Sequence, residues 1–290
     1  MRIGTRGSAL ALAQARWVAE RLGDETELVA ISTVGDRERR GGDKARWVSE
    51  LERALLADEI DVAVHSGKDV PTELPDGLAL IAIPARADAR DAICGASCVA
   101  ALAAGARVGT SSLRRAAQLR AVRADLEIVA LRGNVDTRLR KLADGEADAI
   151  VLALAGLQRL GREAEAGGVL DELVPAAAQG ALVLEARPGR IDSDVLAGLR
   201  DPDSTVCVTA ERELVHALGA SCNTPVGAHA RRLSPGALEL RGWVGLPDGS
   251  AWLSDTLSGP AAGLGAEVAA RMLAAGAGEL LAQAEREVPA

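Results

Sequence analysis

The chain has 290 residues, 48% hydrophobic and 26% charged, with a formal net charge of −8. At roughly 100 to 200 residues per domain this length suggests two or three compact domains, and no apolar run approaches the ~20 residues of a membrane-spanning helix. Phe and Tyr are absent and Trp numbers 4, so the core must be aliphatic; the missing stacking platforms and the acidic balance both disfavour nucleic acid as a partner.

Arg2 to Thr5 reads as a short strand, and Ser8 as the cap of a helix whose apolar residues Leu10, Ala13, Val18 and Leu22 recur at helical spacing, closed by Gly23. This opening lacks the continuous apolar stretch and small-residue cleavage site of a secretory signal, which points to the cytosol. Leu28 to Val34 reads as a second strand, GDRERRGGDKAR as a loop, Trp47 to Leu56 as a helix and Asp61 to His65 as a buried strand. That is the βαβ rhythm of a mostly parallel sheet with helices on both faces.

Pro71, Pro75 and Pro84 interrupt the pattern, which restarts at Arg107 to Gly109. A helix from about Ser112, the strand Glu127 to Leu131, a helix through Leu142, the strand Ala149 to Leu154 and a helix near Leu157 make a second α/β unit. The strand-like run within 174–187 brings the chain back to the first unit, and two crossings make a hinge. After the turn-rich Asp201-Pro202-Asp203, a helix (Val208 to Leu218), three alternating runs (Pro225 to Arg231, Ala237 to Val244, Ala251 to Leu257) and two Ala/Leu-rich helices read as a smaller α+β domain, with Pro247-Asp248-Gly249 as the turn between the last two runs.

Open α/β sheets bind ligands at the carboxyl ends of their strands, and four segments put small polar or basic residues there. They are TRGSALA with Arg6 and Ser8, HSGKDVP with Lys68 and Asp69, GTSSLRR with Ser112, Arg114 and Arg115, and LRGNVDTRLRK with Arg132 and Arg138. Any one alone reads most simply as a capped helix with a solvated basic face. Four together suggest an arginine-lined cleft for a ligand bearing several carboxylates or phosphates. Neither a Walker-type loop nor a GxGxxG fingerprint is present, so nucleotide has no positive support. His65, His216 and His229 have no ligand-like spacing, and no metal site is expected. The four cysteines are too sparse for a disulfide scaffold. Cys94 and Cys98 read as small buried thiols, while Cys222 in GASCNTPVG, a loop of small residues, is either structural or open to a ligand.

Taken together these segments closely resemble the porphobilinogen deaminase (hydroxymethylbilane synthase) family. The match runs in order through TRGSALALAQ, HSGKDVPTELPDGL, RDA, GTSSLRRAAQL, LRGNVDTRLRKL, LALAGLQRL, PAAAQGAL and ERELVHALGASCNTPVGAHA, covering residues 4 to about 230. The resemblance implies two periplasmic-binding-protein-like α/β domains joined by a two-segment hinge, plus a smaller C-terminal α+β domain with a three-stranded sheet. Their expected bounds are 1–85 with 178–200, 86–177, and 201–290.

It also implies a dipyrromethane cofactor in thioether linkage to Cys222, porphobilinogen as the small-molecule substrate, and a cytosolic monomer with no nucleic-acid or membrane partner. By the same resemblance Asp69 is the catalytic carboxylate. Lys68, Asp69, Ser112, Arg114, Arg115, Arg132 and Gln179 bind the cofactor, and Arg6, Ser8, Arg132, Arg138, Lys44 and Trp47 meet the substrate. The chain departs from the family's usual pattern at Gly67, where a larger apolar residue is common, so the loop bearing Asp69 is expected to be looser. It departs again before Trp47, where the loop is shorter, and at Ala220-Ser221 before Cys222 in place of two glycines. The competing readings are a non-enzymatic two-lobed polycarboxylate-binding protein, which has no use for Cys222 or a third domain, and a transferase using GTSSLRR as a phosphate cradle.

Overall fold

The computed structural model describes residues 1–23, 25–32, 45–220 and 224–287. Lys44, Cys222 and the side chain of Trp47 lie outside the described residues.

Three sheets organise the chain. The first begins with β1 (Arg2–Arg6), β2 (Glu27–Ile31), β3 (Val62–Ser66) and β4 (Ala79–Ala82). The second is built from β5 (Asp91–Cys94), β6 (Arg107–Gly109), β7 (Glu127–Val129), β8 (Ala149–Ala153) and β9 (Gly168–Leu170). The chain then returns, and β10 (Leu182–Ala186) enters the first sheet between β3 and β4, giving the order β2-β1-β3-β10-β4. The second sheet has the order β7-β6-β8-β5-β9. The two share a plan: three parallel strands, then an antiparallel fourth, β10 in one and β5 in the other. Because β10 follows β9 in the chain yet belongs to the first sheet, the polypeptide crosses between the units twice, the hinge read from the sequence.

Helices fill the faces through mainly aliphatic contacts, with Trp17 at the margin of the first cluster. Ala15 and Val18 of the helix Ala9–Leu22 pack on Val62, Val64, Leu182 and Leu184, while Leu51, Ala54 and Leu55 of the helix Ala45–Leu56 cover Ala63 on the opposite face. In the second unit Leu119, Val108, Val151 and Ile93 share one cluster, and Ile150, Leu152, Leu139 and Leu157 the other. Strands β4, β5 and β9, of 4, 4 and 3 residues, are not among the strands the sequence pattern predicts.

The third unit is the antiparallel sheet β11 (Val226–Ser234), β12 (Ala237–Gly245) and β13 (Trp252–Pro260), covered by the helices Pro202–Ala217, Leu264–Ala274 and Ala277–Glu287. Asp201-Pro202-Asp203 is the start of a helix and not a turn. Asp201 caps it by accepting from the Ser204 N–H, and Pro202 takes the first position, where a missing N–H costs nothing. Glu211 of this helix is fully buried and joins all parts of the hinge: it accepts from Arg86 at 2.6 and 3.0 Å, from the Ala178 N–H at 2.7 Å and from the Ala230 N–H at 2.7 Å. Trp243 packs with Ala117 and Val174, and Arg120 donates to the Pro247 carbonyl at 2.8 Å, so the third unit also rests on the helix Leu113–Val122.

Candidate active site

The carboxyl ends of β1, β3, β6, β7 and β8 face one another across a cavity of about 320 Å³ between the first two units. Its lining carries five cationic side chains, Arg6, Lys68, Arg115, Arg138 and Arg159, and one carboxylate, Asp69. In a chain of net charge −8 this is a local inversion of sign. A dry, walled cleft focuses such a field on an anionic ligand.

Arg6 ends β1, and Ser8 turns the chain into the next helix by accepting from the Ala11 N–H at 3.3 Å. Lys68 and Asp69 sit in a single 3₁₀ turn, Gly67–Asp69, immediately after β3. That turn is packed, contrary to the looseness expected of Gly67. A Cβ at Gly67 would stand 2.9 Å from the Ala178 Cβ and 3.2 Å from Val183, so the Ala178 methyl fills the space of a larger side chain. Ala178 itself lies at φ 58°, the left-handed region that costs an L-residue energy.

On the second wall, Asn134 precedes the helix Val135–Ala143, which carries Arg138 one turn in; the helix Leu154–Arg159 ends on Arg159. Each of these arginines donates to one carbonyl, Arg138 Nε to Gly133 and Arg159 Nη2 to Gly180, both at 2.7 Å. Burial pushes both down to about 10, with Arg115 adding to the effect at Arg138 and Asp69 opposing it. Burial likewise pushes Lys68 down to about 8, reinforced by Arg115 and resisted by Asp69 and Asp91. Such cations gain from an anionic ligand, because it restores the compensation that burial removed.

Arg114 and Arg115 are held differently. Both are about 5% exposed and both clasp the fully buried Asp91: Arg114 Nη2 to Oδ2 at 2.8 Å, Arg115 Nη2 to Oδ1 at 2.7 Å and Nε to Oδ1 at 3.1 Å. Arg114 also donates to the Val174 carbonyl and Arg115 to that of Val151. The two guanidinium groups hold Asp91 well below the usual carboxylate range, against its burial. Arg115 spends three of its five N–H groups on these bonds, and it lines the cavity, so two donors stay available to a ligand.

Arg114, Ser112, Arg132 and Gln179 are not part of the cavity lining. Arg114 turns to Val174; Ser112 caps the helix Leu113–Val122 by accepting from the Arg115 N–H; Arg132 is exposed at the end of β7. Gln179, 1% exposed, donates to Asp91 at 2.8 Å and to the Ala89 carbonyl, which makes it a support for the arginine pair.

Asp91, Arg159, Gln14 and Ser66 belong to the site and escaped the sequence reading. Gln14 and Ser66 bond to each other at 2.9 Å across the cavity floor. Asp91 lies in RDA and Arg159 in LALAGLQRL, so both stood within recognised segments, but nothing local marks a buried counter-ion or the inward side of a short helix. Cys94 is buried and Cys98 exposed, which corrects the expectation that both are buried.

Comparison with known proteins adds a family. Residues 1–194 match the model described as porphobilinogen deaminase, dipyromethane cofactor binding domain, and residues 205–274 match porphobilinogen deaminase, C-terminal domain. A porphobilinogen deaminase of Deinococcus radiodurans is 48% identical, covering 98% of each chain. That of Deinococcus deserti is 49% identical over the same shares. Among solved structures, a periplasmic substrate-binding protein of an ABC transporter from Coxiella burnetii aligns with 71% of this chain and 94% of its own, at 14% identity and a TM-score of 0.43.

Proposed function

Since this chain belongs to the porphobilinogen deaminase family, we propose that the cavity between its first two units is where the polypyrrole is built, with Asp69 as the catalytic carboxylate and Cys222 as the anchoring thiol. The chain is a transferase that joins porphobilinogen units head to tail on a dipyrromethane primer and releases ammonia. The observation that carries the site reading is the convergence of five cations on one carboxylate.

The donor set fits the primer. Two linked pyrroles bear acetates and propionates, and Arg115, Arg138, Arg159, Arg6 and Lys68 offer charge-assisted donors to them from both walls. When bound, dipyrromethane supplies the free pyrrole carbon from which the chain is extended. Asp69 accepts hydrogen bonds from pyrrole N–H groups at its two carboxylate oxygens, stabilises positive charge developing on those nitrogens and collects the proton released at carbon. Asp91 and Gln179 keep Arg115 at a fixed angle, so its remaining donors are pre-oriented and need no reorganisation. Arg114 acts through the same clasp. Ser8, Ser112, Arg132, Lys44 and Trp47 complete the set drawn from the family's motifs.

We assign residues 1–85 with 178–200 to the first domain, 86–177 to the second and 201–290 to the third, and read the enzyme as a cytosolic monomer. Among the described residues no helix is long and apolar enough to cross a membrane. The test is the intact mass of the purified protein. An excess of two linked pyrroles, lost in Cys222→Ser and increasing in porphobilinogen steps when substrate is added, supports the reading. A mass equal to the bare chain, or an adduct that survives Cys222→Ser, overturns it.

A further inference from the structure

Behind the Asp69 turn lies a set of buried titratable groups that the chemistry above does not use. His65 of β3 and Glu185 of β10 are 4% and 0% exposed, and His65 Nε2 stands 2.9 Å from Glu185 Oε2. They occupy the same face of the sheet, since His65 pairs with Val183 and Glu185 with Ala63 in the antiparallel ladder. Glu52, 8% exposed, reaches this face from the helix Ala45–Leu56. Among the described residues neither Glu185 oxygen accepts a hydrogen bond.

A buried carboxylate without donors is costly unless it is protonated or neutralised at close range. Here Glu185 and the buried Glu52 both interact with one imidazole. The site therefore cannot hold both as anions cheaply, and protons must be distributed over the three groups. Burial, reinforced by Glu185 and opposed by His65, pushes Glu52 up to about 7. The other charged groups in reach are Arg212 of the helix Pro202–Ala217, which interacts with Glu185, and Arg6 and Asp69 at the cavity.

The cluster is connected to the active site. A small cavity of about 50 Å³ is lined by His65 together with Asp69, Arg6, Ser8, Gln14 and Ser66. That volume admits a few waters, each needing about 10 to 15 Å³ by this measure, and the lining offers the polar partners that ordered water requires.

We propose that Glu52, Glu185 and His65 form a proton store for Asp69, exchanging protons with its carboxyl group across the cavity that His65 and Asp69 both line. The inference rests on Asp69 being the catalytic carboxylate. Each condensation frees one proton at a pyrrole carbon and one ammonia, and the two leave together as ammonium, so the store returns every proton it takes. In the forward transfer the O–H bond of protonated Asp69 breaks, its electron pair stays on the carboxylate, and the lone pair of His65 Nδ1 forms the new N–H bond through bridging water. The imidazolium is then held by Glu185. The reverse transfer restores Asp69 before the amine departs. His65 is in this sense a relay residue, and Glu52 and Glu185 set the charge it sees.

The chain has 3 histidines, so the ring nitrogens of ¹⁵N-histidine holoprotein are assigned by single substitutions and titrated by NMR. Removing a neighbouring negative charge disfavours the imidazolium. Glu52→Gln and Asp69→Asn should therefore each lower the His65 titration midpoint by about half a pH unit or more. In turnover, Glu52→Gln should shift the pH–rate curve with the porphobilinogen KM changed less than about threefold, and His65→Gln should lower kcat about tenfold or more with a flattened pH dependence. If His65→Gln does not fold, Glu52→Gln alone decides. A His65 ring unmoved by both substitutions, with an unshifted pH–rate curve in Glu52→Gln, overturns the store. Asp69→Asn separates the two claims: full turnover in that variant sinks the Asp69 reading, whereas an inactive variant with an unmoved His65 sinks only the store.

Discussion

The arginines of the second wall fall into two groups, and the contrast explains how one cleft can be both stable and hungry for anions. Arg114 and Arg115 share the buried carboxylate of Asp91, so one of their two charges is compensated before any ligand arrives. Arg138 and Arg159 each donate to a single carbonyl and are destabilised by burial. The first pair fixes geometry; the second stores electrostatic free energy that an incoming carboxylate releases. Breaking a compensated pair should cost stability, and removing an uncompensated cation should cost binding.

The largest effect lies at the carboxylate both groups surround. Asp69→Asn preserves size but removes the charge and the proton-accepting oxygen. Turnover of cofactor-loaded enzyme should fall at least about 10³-fold, combining general acid–base and electrostatic losses. The melting temperature, measured in parallel, should move little, because Asp69 is only partly buried at the cavity edge.

Asp91→Asn should do the reverse. It leaves two buried guanidinium groups uncompensated, a loss of about 3 to 5 kcal/mol, readable as a fall in the denaturant midpoint with unchanged slope. A variant as stable as the parent would mean that Arg114 and Arg115 are not held by charge.

A smaller effect tests the packing under the catalytic turn. Gly67→Ala forces a methyl against that of Ala178 and should cost about 1 to 3 kcal/mol. Ala178→Gly relieves the left-handed backbone and opens the space. The double variant should recover most of the loss, with a coupling energy of about 1 kcal/mol or more in a double-mutant cycle. Simple additivity would show that the two positions do not share that space.

Least in size is a pH effect at Lys68. Its folded value of about 8 lies below the usual lysine range, so the ammonium is present below that pH and lost as pH rises through it. Affinity of the apoprotein for a pyrrole polycarboxylate should weaken a few-fold between pH 7 and 9, by roughly one lost charge–charge contact, and this dependence should flatten in Lys68→Arg.

The sequence carried much of this because strand ends and helix starts are local features. Arg6, Ser8, Lys68, Asp69, Arg115 and Arg138 follow apolar runs that are legible as strands, or open helices whose caps are legible too. Long-range partners are another matter. Which arginine meets Asp91, 23 residues before Arg114 and 24 before Arg115, depends on β5 pairing between β8 and β9, which no local feature of DAIC announces. Gln179 is a cofactor contact by the family resemblance alone; that its amide also donates to Asp91 is a long-range relation the sequence does not show. The sequence reading also took Gly67 for a loosened loop, since the compensating methyl comes from Ala178, 111 residues away by numbering.

The central claim, that the uncompensated arginines hold the growing chain, is tested most directly by mass spectrometry of the Arg138→Gln, Arg159→Gln double variant given porphobilinogen. The account predicts a folded protein that carries the two-pyrrole adduct and accumulates partly extended chains, with completion slowed by about 10²-fold or more, as expected for two lost charge-assisted contacts at about 1.5 to 3 kcal/mol each. A variant that extends and releases product at the parental rate would contradict it.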